Sequence, residues 1–262
     1  MKGKILPFLS ILFLIAVVGV MSWRDMHPEA GGGKPEKLSS FTYHADTGVT
    51  PAMIPDDNNP VTIALGTFRH APDGKTEWIP QGMPPAILAQ RQVNLLFRFD
   101  GLPKNPAETL EKMQFLVKDW ERQGNTAATL FLDYRPKTPD FRSYAEFLDA
   151  AHDRFRLTNS LGIVTDISWT DIQERDPFEQ LHKNIVLFQI DLPQPKIAPE
   201  LFLKLKRLRY AFLIRFPAGV LPADLDMRDY KKLMTLSGIV LTLDPHNPWP
   251  QKEERIGIFP KL

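Results

Sequence analysis

The sequence predicts an α/β fold: a compact (β/α)8 barrel of the TIM type, preceded by an N-terminal transmembrane anchor. Two observations lead to this prediction. Short apolar runs of strand length recur from Val61 onward, and segments with helical periodicity lie between most of them. Such alternation is typical of a parallel sheet. The number of runs, seven clear and one weak, favours a closed barrel over the alternative, an open doubly wound sheet. No glycine-rich nucleotide-binding turn follows the first run.

The composition excludes several classes of function. The 262 residues include no cysteine, which rules out disulfides, thiolate nucleophiles and cysteine metal sites. The formal net charge is +1, so no bulk charge favours either nucleic acid or an anionic surface as a partner. The six histidines lack metal-ligand spacing, and no phosphate-binding or dinucleotide-binding motif occurs. We therefore expect no metal and no cofactor.

The N-terminal segment predicts a membrane anchor. Residues Ile5 to Trp23 carry no charge over nineteen positions, which at about 1.5 Å per residue nearly spans a hydrocarbon core of about 30 Å. A secretory signal peptide is the alternative, although this apolar stretch is long for one. Lys2 and Lys4 precede the stretch, so the positive-inside rule places the rest of the chain outside the cytoplasm. In a bacterium we expect a single-pass inner-membrane protein with its C-terminal domain in the periplasm, or a secreted protein if the segment is cleaved.

Residues 24 to 60 are predicted to form a flexible linker. They contain the stretches GGGKPEK and DTGVTPAMIPDDNNP and show little periodicity. The predicted organisation is therefore an anchor or signal peptide at 1–23, a linker at 24–60 and a barrel domain at 61–262.

The predicted strands follow in order, the last of them weak: Val61–Phe68, Val93–Phe99, Thr126–Leu132, Leu161–Ile167, Ile185–Ile190, Ala211–Phe216, Ile239–Leu243 and Ile256–Phe259. The first crossover is the least certain, because only Pro84–Gln92 could supply a short helix there.

Two helices are well supported by periodicity. One apolar face consists of Leu110, Met113, Leu116, Val117 and Trp120, and another of Phe141, Tyr144, Phe147, Leu148, Ala151 and Phe155. Asn105 and Asp140 are placed to cap these helices, and Gly124 follows the first. Two shorter helices are marked by Leu201, Leu205 and Leu208 and by Tyr230, Leu233 and Met234.

Most of the predicted strands end on aspartate. The endings are Asp100, Asp133, Asp166, Asp191 and Asp244, and the exception is the strand Ala211–Phe216, which has Arg215 near its end. The carboxyl ends of barrel strands form the face that carries active sites. Several carboxylates should therefore converge there, as glycoside hydrolysis requires. The competing interpretation is that aspartate is a common turn residue after a strand. We favour it for Asp191 and Asp244, which proline follows closely.

Alternation along the strands groups further candidates. Arg98 and Asp100 share a face, as do Asp133 and Arg135, so neighbouring strands could form two crossed ion pairs. Asp133 is the strongest catalytic candidate, because the strand continues beyond it before any turn residue.

The remaining candidates for ligand binding accompany these strand ends. Gln189 shares a face with Asp191, and Arg215 ends its own strand. Tyr134 and Trp169 are aromatic side chains beside strand ends, on which a sugar ring could stack. The basic run at 204–209 is most simply a solvated helix face.

The segment from Val93 to Ala218 resembles an uncharacterised bacterial family, domain of unknown function 3142. The likeness rests on LLFRFDG, LFLDYRPKTPDFRSYAEFL, LGIVTDISW, VLFQIDLP and FLIRFPAG, in that order. It implies a TIM barrel related to glycoside hydrolases. In that family the second of these strand ends typically reads Leu-Asp-Tyr-Asp, whereas here Arg135 replaces the second aspartate.

Two functions remain open. The first is an envelope-tethered, glycoside-hydrolase-like barrel that binds or processes a polysaccharide at the carboxyl ends of its strands. Asp133, Asp100 and Asp166 would be its catalytic candidates. The second is a catalytically degenerate barrel that acts as a binding or scaffolding module in the periplasm. Arg135 favours the second, because a guanidinium beside Asp133 suits an ion pair better than a proton donor.

Overall fold

The computed structural model describes residues 41–70, 75–86, 88, 91–135, 140–165, 168, 181–221, 224–225 and 227–246. Within these ranges the strands are β1 (Phe41–Ala45), β2 (Val61–His70), β3 (Thr76–Pro80), β4 (Gln92–Phe99), β5 (Thr126–Tyr134), β6 (Ser160–Thr165), β7 (Leu187–Asp191), β8 (Phe212–Phe216) and β9 (Leu236–Thr242). The α-helices are α1 (Pro106–Arg122), α2 (Phe141–Phe155), α3 (Pro199–Arg207) and α4 (Met227–Tyr230), and two 3-10 turns lie at Pro51–Met53 and His182–Asn184.

Eight of the strands form a closed parallel barrel. Their order is β1-β9-β8-β7-β6-β5-β4-β2, and pairing of β1 with β2 closes the ring. All eight contacts between neighbours are parallel. The predicted TIM-like barrel is therefore confirmed, and the open sheet is excluded.

The strand that closes the barrel lies in the predicted linker, so the linker prediction is wrong for residues 41–60. Phe41, Tyr43 and Ala45 are buried on the outer face of β1, and His44 is buried on its inner face. The Tyr43 hydroxyl donates a 2.7 Å hydrogen bond to Asp57, which ties the following loop to the strand. Alternation in the segment FTYHAD was the available signal, but the turn residues around it concealed a five-residue strand. The weak strand at Ile256–Phe259 lies outside the described residues.

The first crossover differs from the predicted short helix. In its place, β3 pairs antiparallel with β2, and the described residues of Pro84–Gln92 contain no helix. Gly66 and Gly82 permit this return, because a Cβ at either position would lie within 2.3 Å of a backbone oxygen. After β3, the chain places Gln81 above β2, where its backbone N–H donates to the Leu65 carbonyl at 3.0 Å.

The predicted helical faces are buried. The α1 face buries Leu110, Met113, Val117 and Trp120, and Leu116 packs at its margin. On α2, Asp140 caps the helix by accepting a 3.0 Å hydrogen bond from the Ser143 N–H, as predicted. Asn105 occupies the cap position of α1, but its side chain makes no capping hydrogen bond. Gly124 has a φ of +81°, the left-handed conformation expected after α1.

The last two helices are shorter than their apolar patterns suggested. Leu208 follows the end of α3, and Leu233 and Met234 follow α4. Leu233 is buried, whereas Met234 is exposed.

The strands separate two apolar cores. The larger core lies between the barrel and its helices, and the smaller one fills the barrel. The interior core consists of Ala64, Leu96, Phe131, Val164, Leu213 and Val240. Gly162 makes room for it, since a Cβ there would lie 2.6 Å from the Phe131 ring.

Candidate functional site

The barrel interior changes from apolar to charged toward the carboxyl ends of the strands. Alternate strands supply each layer of a TIM-type barrel. The pairing registers place one layer at Thr62, Phe131, Gln189 and Val240, the next at His44, Leu96, Val164 and Arg215, and a third at Ala64, Asp133, Asp191 and Thr242. Charge enters with Arg215 and increases above it, so the mouth of the barrel is the polar end.

Arg135 joins two carboxylates at this mouth. Its Nε and Nη2 donate to the two oxygens of Asp133 at 2.6 and 2.8 Å, and its Nη1 donates to Asp191 at 2.6 Å. Asp133 is 5% exposed, whereas Arg135 is 32% exposed. The buried carboxylate is thus covered by a guanidinium that reaches the solvent.

Asp191 is shared with a second arginine. Arg215 Nε donates to Asp191 at 2.8 Å, and Arg215 Nη2 contacts the other oxygen. Our turn interpretation of Asp191 is therefore wrong, because its side chain bridges Arg135 and Arg215. Asp244 does behave as a turn residue, since its carboxylate accepts from the His246 N–H at 2.9 Å.

The chain of charges continues onto β1. Arg215 Nη1 lies 2.9 Å from His44 Nε2, and that nitrogen lies 3.7 Å from Asp46. Arginine can only donate, so His44 Nε2 is the acceptor and the neutral ring carries its proton on Nδ1. Arg98 then pairs with Asp46 at 3.1 and 2.5 Å. We call the whole set the mouth ion-pair chain: Asp133, Arg135, Asp191, Arg215, His44, Asp46 and Arg98.

These neighbours shift the pKa values of the group. Burial raises the pKa of Asp133 above its ordinary value, although Arg135 opposes that shift. Burial, together with the Arg215 charge, lowers the pKa of His44 to about 4. Burial alone would raise the pKa of Asp46, but the adjacent His44 ring and the Arg98 guanidinium outweigh it and hold the pKa well below the usual value. His44 is therefore neutral and Asp46 ionised at neutral pH.

The predicted crossed pairs do not form, although Arg98 and Asp133 are register partners on β4 and β5. Arg98 pairs with Asp46 and Asp133 with Arg135, because β1 brings a carboxylate to the mouth that the sequence prediction had left in a linker. Asp100 lies beyond the end of β4, where its carboxylate is 3.6 Å from Arg69.

Three other predicted site residues lie away from the mouth or outside the described residues. The ring of Tyr134 packs against Tyr144 at 5.1 Å in the outer core, so the structure places it away from the mouth. Asp166 and Trp169 lie outside the described residues.

Gln189 is fully buried below the mouth. Among the residues that the structure describes, neither polar atom of its amide has a hydrogen-bond partner, and the same holds for His44 Nδ1 and Asn94 Oδ1. It lines the barrel interior but does not reach the surface.

Sequence reasoning missed His44, Asp46 and Gln81. Gln81 Oε1 accepts from Thr67 at 3.1 Å and lies 3.5 Å from Arg98, so it extends the polar mouth over β2. For Asp46 the signal was the strand-end aspartate seen in five other places. For Gln81 no signal existed, because only the return of the chain after β3 brings it there.

A separate groove of about 390 Å³ lies on the outside of the barrel, between β3 and α1. Phe68, Trp78 and Phe115 line it together with Glu108 and Glu111. It does not include any member of the mouth ion-pair chain.

Within the described residues, no three histidine, aspartate or glutamate side chains are grouped as a metal site. No helix of the described ranges is long and apolar enough to cross a membrane. The predicted anchor at 5–23 lies outside those ranges and stays a prediction.

No family model matches the chain, and no curated protein does. The resemblance to domain of unknown function 3142 therefore stays an expectation. Among solved structures, the spore cortex-lytic enzyme SleL of Bacillus megaterium QM B1551 aligns with a TM-score of 0.44 and 11% identity, over 68% of this chain and 50% of that chain. The aligned part is thus about half the length of SleL.

Proposed function

We propose that this chain is a glycan-binding barrel that has lost hydrolytic capacity and holds its ligand at the mouth ion-pair chain. One observation carries the proposal. Each of the three carboxylates in the mouth ion-pair chain is paired with an arginine: Asp133 with Arg135, Asp191 with Arg135 and Arg215, and Asp46 with Arg98. A hydrolase needs one carboxylic acid free to protonate the leaving group and a second carboxylate free to act as nucleophile or base.

The same geometry suits the binding of sugar hydroxyls. Arg135, Arg98, Asp191 and Asp46 are each partly exposed, so they offer both donors and acceptors at the mouth. Their mutual ion pairs hold the side chains in place before a ligand arrives, which lowers the entropy lost on binding. The sequence resemblance of the segment from Val93 to Ala218 to domain of unknown function 3142, which implies a barrel related to glycoside hydrolases, also supports a glycan as the ligand.

The test is binding and turnover by the full-length chain on purified envelope polysaccharide. We expect binding without release of new reducing ends. Arg135→Gln and Asp191→Asn should each weaken binding about tenfold, a change of about 1.4 kcal/mol. Arg142→Gln is the matched control, since Arg142 is 89% exposed and pairs only with Glu146 in the described part of the chain. Equal binding by all four proteins would refute the mouth as the site.

A hydrolase is the second candidate, and one observation favours it. Burial raises the pKa of Asp133, as is typical of a general acid. Release of reducing ends that is lost in Asp133→Asn, while binding persists, would establish this alternative over the first.

A further inference from the structure

The face opposite the mouth carries a basic sector. Four consecutive strands of the ring, β6 to β9, are each preceded by a short connection, which we count from the last residues of the preceding helix or turn, at 154–159, 183–186, 206–211 and 231–235. These connections contain eight Lys or Arg residues and no Asp or Glu: Arg154, Arg156, Lys183, Lys206, Arg207, Arg209, Lys231 and Lys232. All eight are exposed. We call this surface the basic sector.

Most of these cations form no ion pair with a carboxylate in the described ranges. Within the described residues, only Lys232 forms an ion pair, with Asp229 at 2.8 Å. Asp153 adjoins the first connection but makes no ion pair with it in that part of the chain. The rest of the face differs, since Asp56 and Asp57 precede β2. A chain with a net charge of +1 thus concentrates positive charge on one side of one pole.

Apolar side chains are exposed in the same sector. Among the described residues, five large hydrophobic side chains are exposed, and three of them lie here: Leu157, Val186 and Met234. Leu157 is 91% and Met234 is 89% exposed, more than the other three. They stand singly among the cations, directly before β6, β7 and β9. This arrangement differs from the continuous apolar patch of a protein–protein interface core.

The chain also enters the barrel at this pole. β1 runs parallel to β9 and β2, so Phe41 lies at the amino ends of the strands, beside β9. Only seventeen residues, 24–40, separate Phe41 from the predicted anchor.

From these observations we propose that the basic sector binds an anionic membrane surface, with Leu157, Val186 and Met234 inserted between the headgroups. Cations attract anionic lipid, and single aliphatic side chains enter the interface beside them. A barrel bound in this way turns its mouth away from the bilayer. The inference concerns a surface remote from the glycan site, and it stands whether or not that proposal holds.

The absence of cysteine makes a direct test possible. In full-length protein reconstituted into vesicles, Leu157→Cys and Met234→Cys are labelled with an environment-sensitive fluorophore. Ala218→Cys, exposed after β8 on the mouth side, is the control. In equimolar phosphatidylcholine and phosphatidylglycerol we expect a blue shift and quenching by brominated lipid at 157 and 234, but not at 218. In phosphatidylcholine alone both effects should disappear.

Charge reversal checks the electrostatic part. Arg207→Glu, Arg209→Glu and Lys231→Glu together should abolish the blue shift at 234. The matched variant Lys104→Glu, Lys112→Glu and Arg142→Glu should retain it. Three results would overturn the proposal: equal signals at 157, 234 and 218, the same shift without anionic lipid, or a shift in detergent solution, which would mean contact between copies of the chain.

Discussion

Arg135, which directly follows the end of β5, covers the buried carboxylate of Asp133 with two hydrogen bonds of 2.6 and 2.8 Å. Asp133 points into the barrel, and the Arg135 guanidinium lies over it at the mouth, where it also reaches Asp191. The pair makes this strand-end aspartate one half of an ion pair, whereas a catalytic acid needs a carboxyl group free of such a partner. This relationship is the reason that we favour binding over hydrolysis.

Arg135→Gln should destabilise the fold by about 1–3 kcal/mol, because it leaves the Asp133 carboxylate buried without its partner. Adding Asp133→Asn should recover part of that loss. Urea unfolding of the single and double variants measures the loss of stability and its recovery. The control Arg142→Gln should change the free energy of unfolding little. Additive effects in the double variant would contradict energetic coupling of the pair.

The loss of unfolding free energy caused by Arg135→Gln should also depend on pH. Burial raises the folded-state pKa of Asp133, so its favourable contribution is present at low pH and is lost as the pH rises through the folded pKa. Without Arg135 that loss grows. The difference in free energy of unfolding between Arg135→Gln and the wild type should therefore be larger near pH 7 than near pH 4. A difference that does not change with pH would contradict this reasoning.

His44 should make the protein sensitive to mild acid. Its pKa falls from 6.5 to about 4 on folding, so its stabilising contribution is complete above pH 6.5 and is lost as the pH falls toward 4. The loss is of the order of 3 kcal/mol. Denaturation curves across that range should show the loss in the wild type and in His246→Gln, an exposed control, but a smaller one in His44→Gln.

Gln189→Met should stabilise the barrel by about 1 kcal/mol, because the amide is fully buried and neither of its polar atoms has a partner in the described part of the chain. Thermal unfolding should show a rise of about 2–4 °C. Gln194→Met, at an exposed position, is the control. A lower melting temperature for Gln189→Met would mean that the amide is hydrogen bonded in solution.

A fragment that begins at residue 60 should lack a cooperative unfolding transition, whereas one that begins at residue 38 should retain it. The shorter fragment loses β1, which leaves the edges of β2 and β9 unpaired and exposes the outer core beneath Tyr43. Calorimetry of both fragments tests this, and equal transitions would show that β1 is dispensable.

The sequence by itself determined the fold class, because period-2 and period-3.6 patterns record which side of each element is buried. The faces of α1 and α2, the cap at Asp140 and most strands were predictable for that reason. Alternation also predicted that Asp133 and Arg135 lie on one face, where the structure joins them. Local patterns do not record which distant residue supplies the partner. Only the tertiary structure decided that β1 closes the ring, that Asp46 forms an ion pair with Arg98, and that Asp191 bridges Arg135 and Arg215. These pairings depend on contacts between residues far apart in the chain. A five-residue strand between turn residues has too little periodicity to be predicted from local patterns.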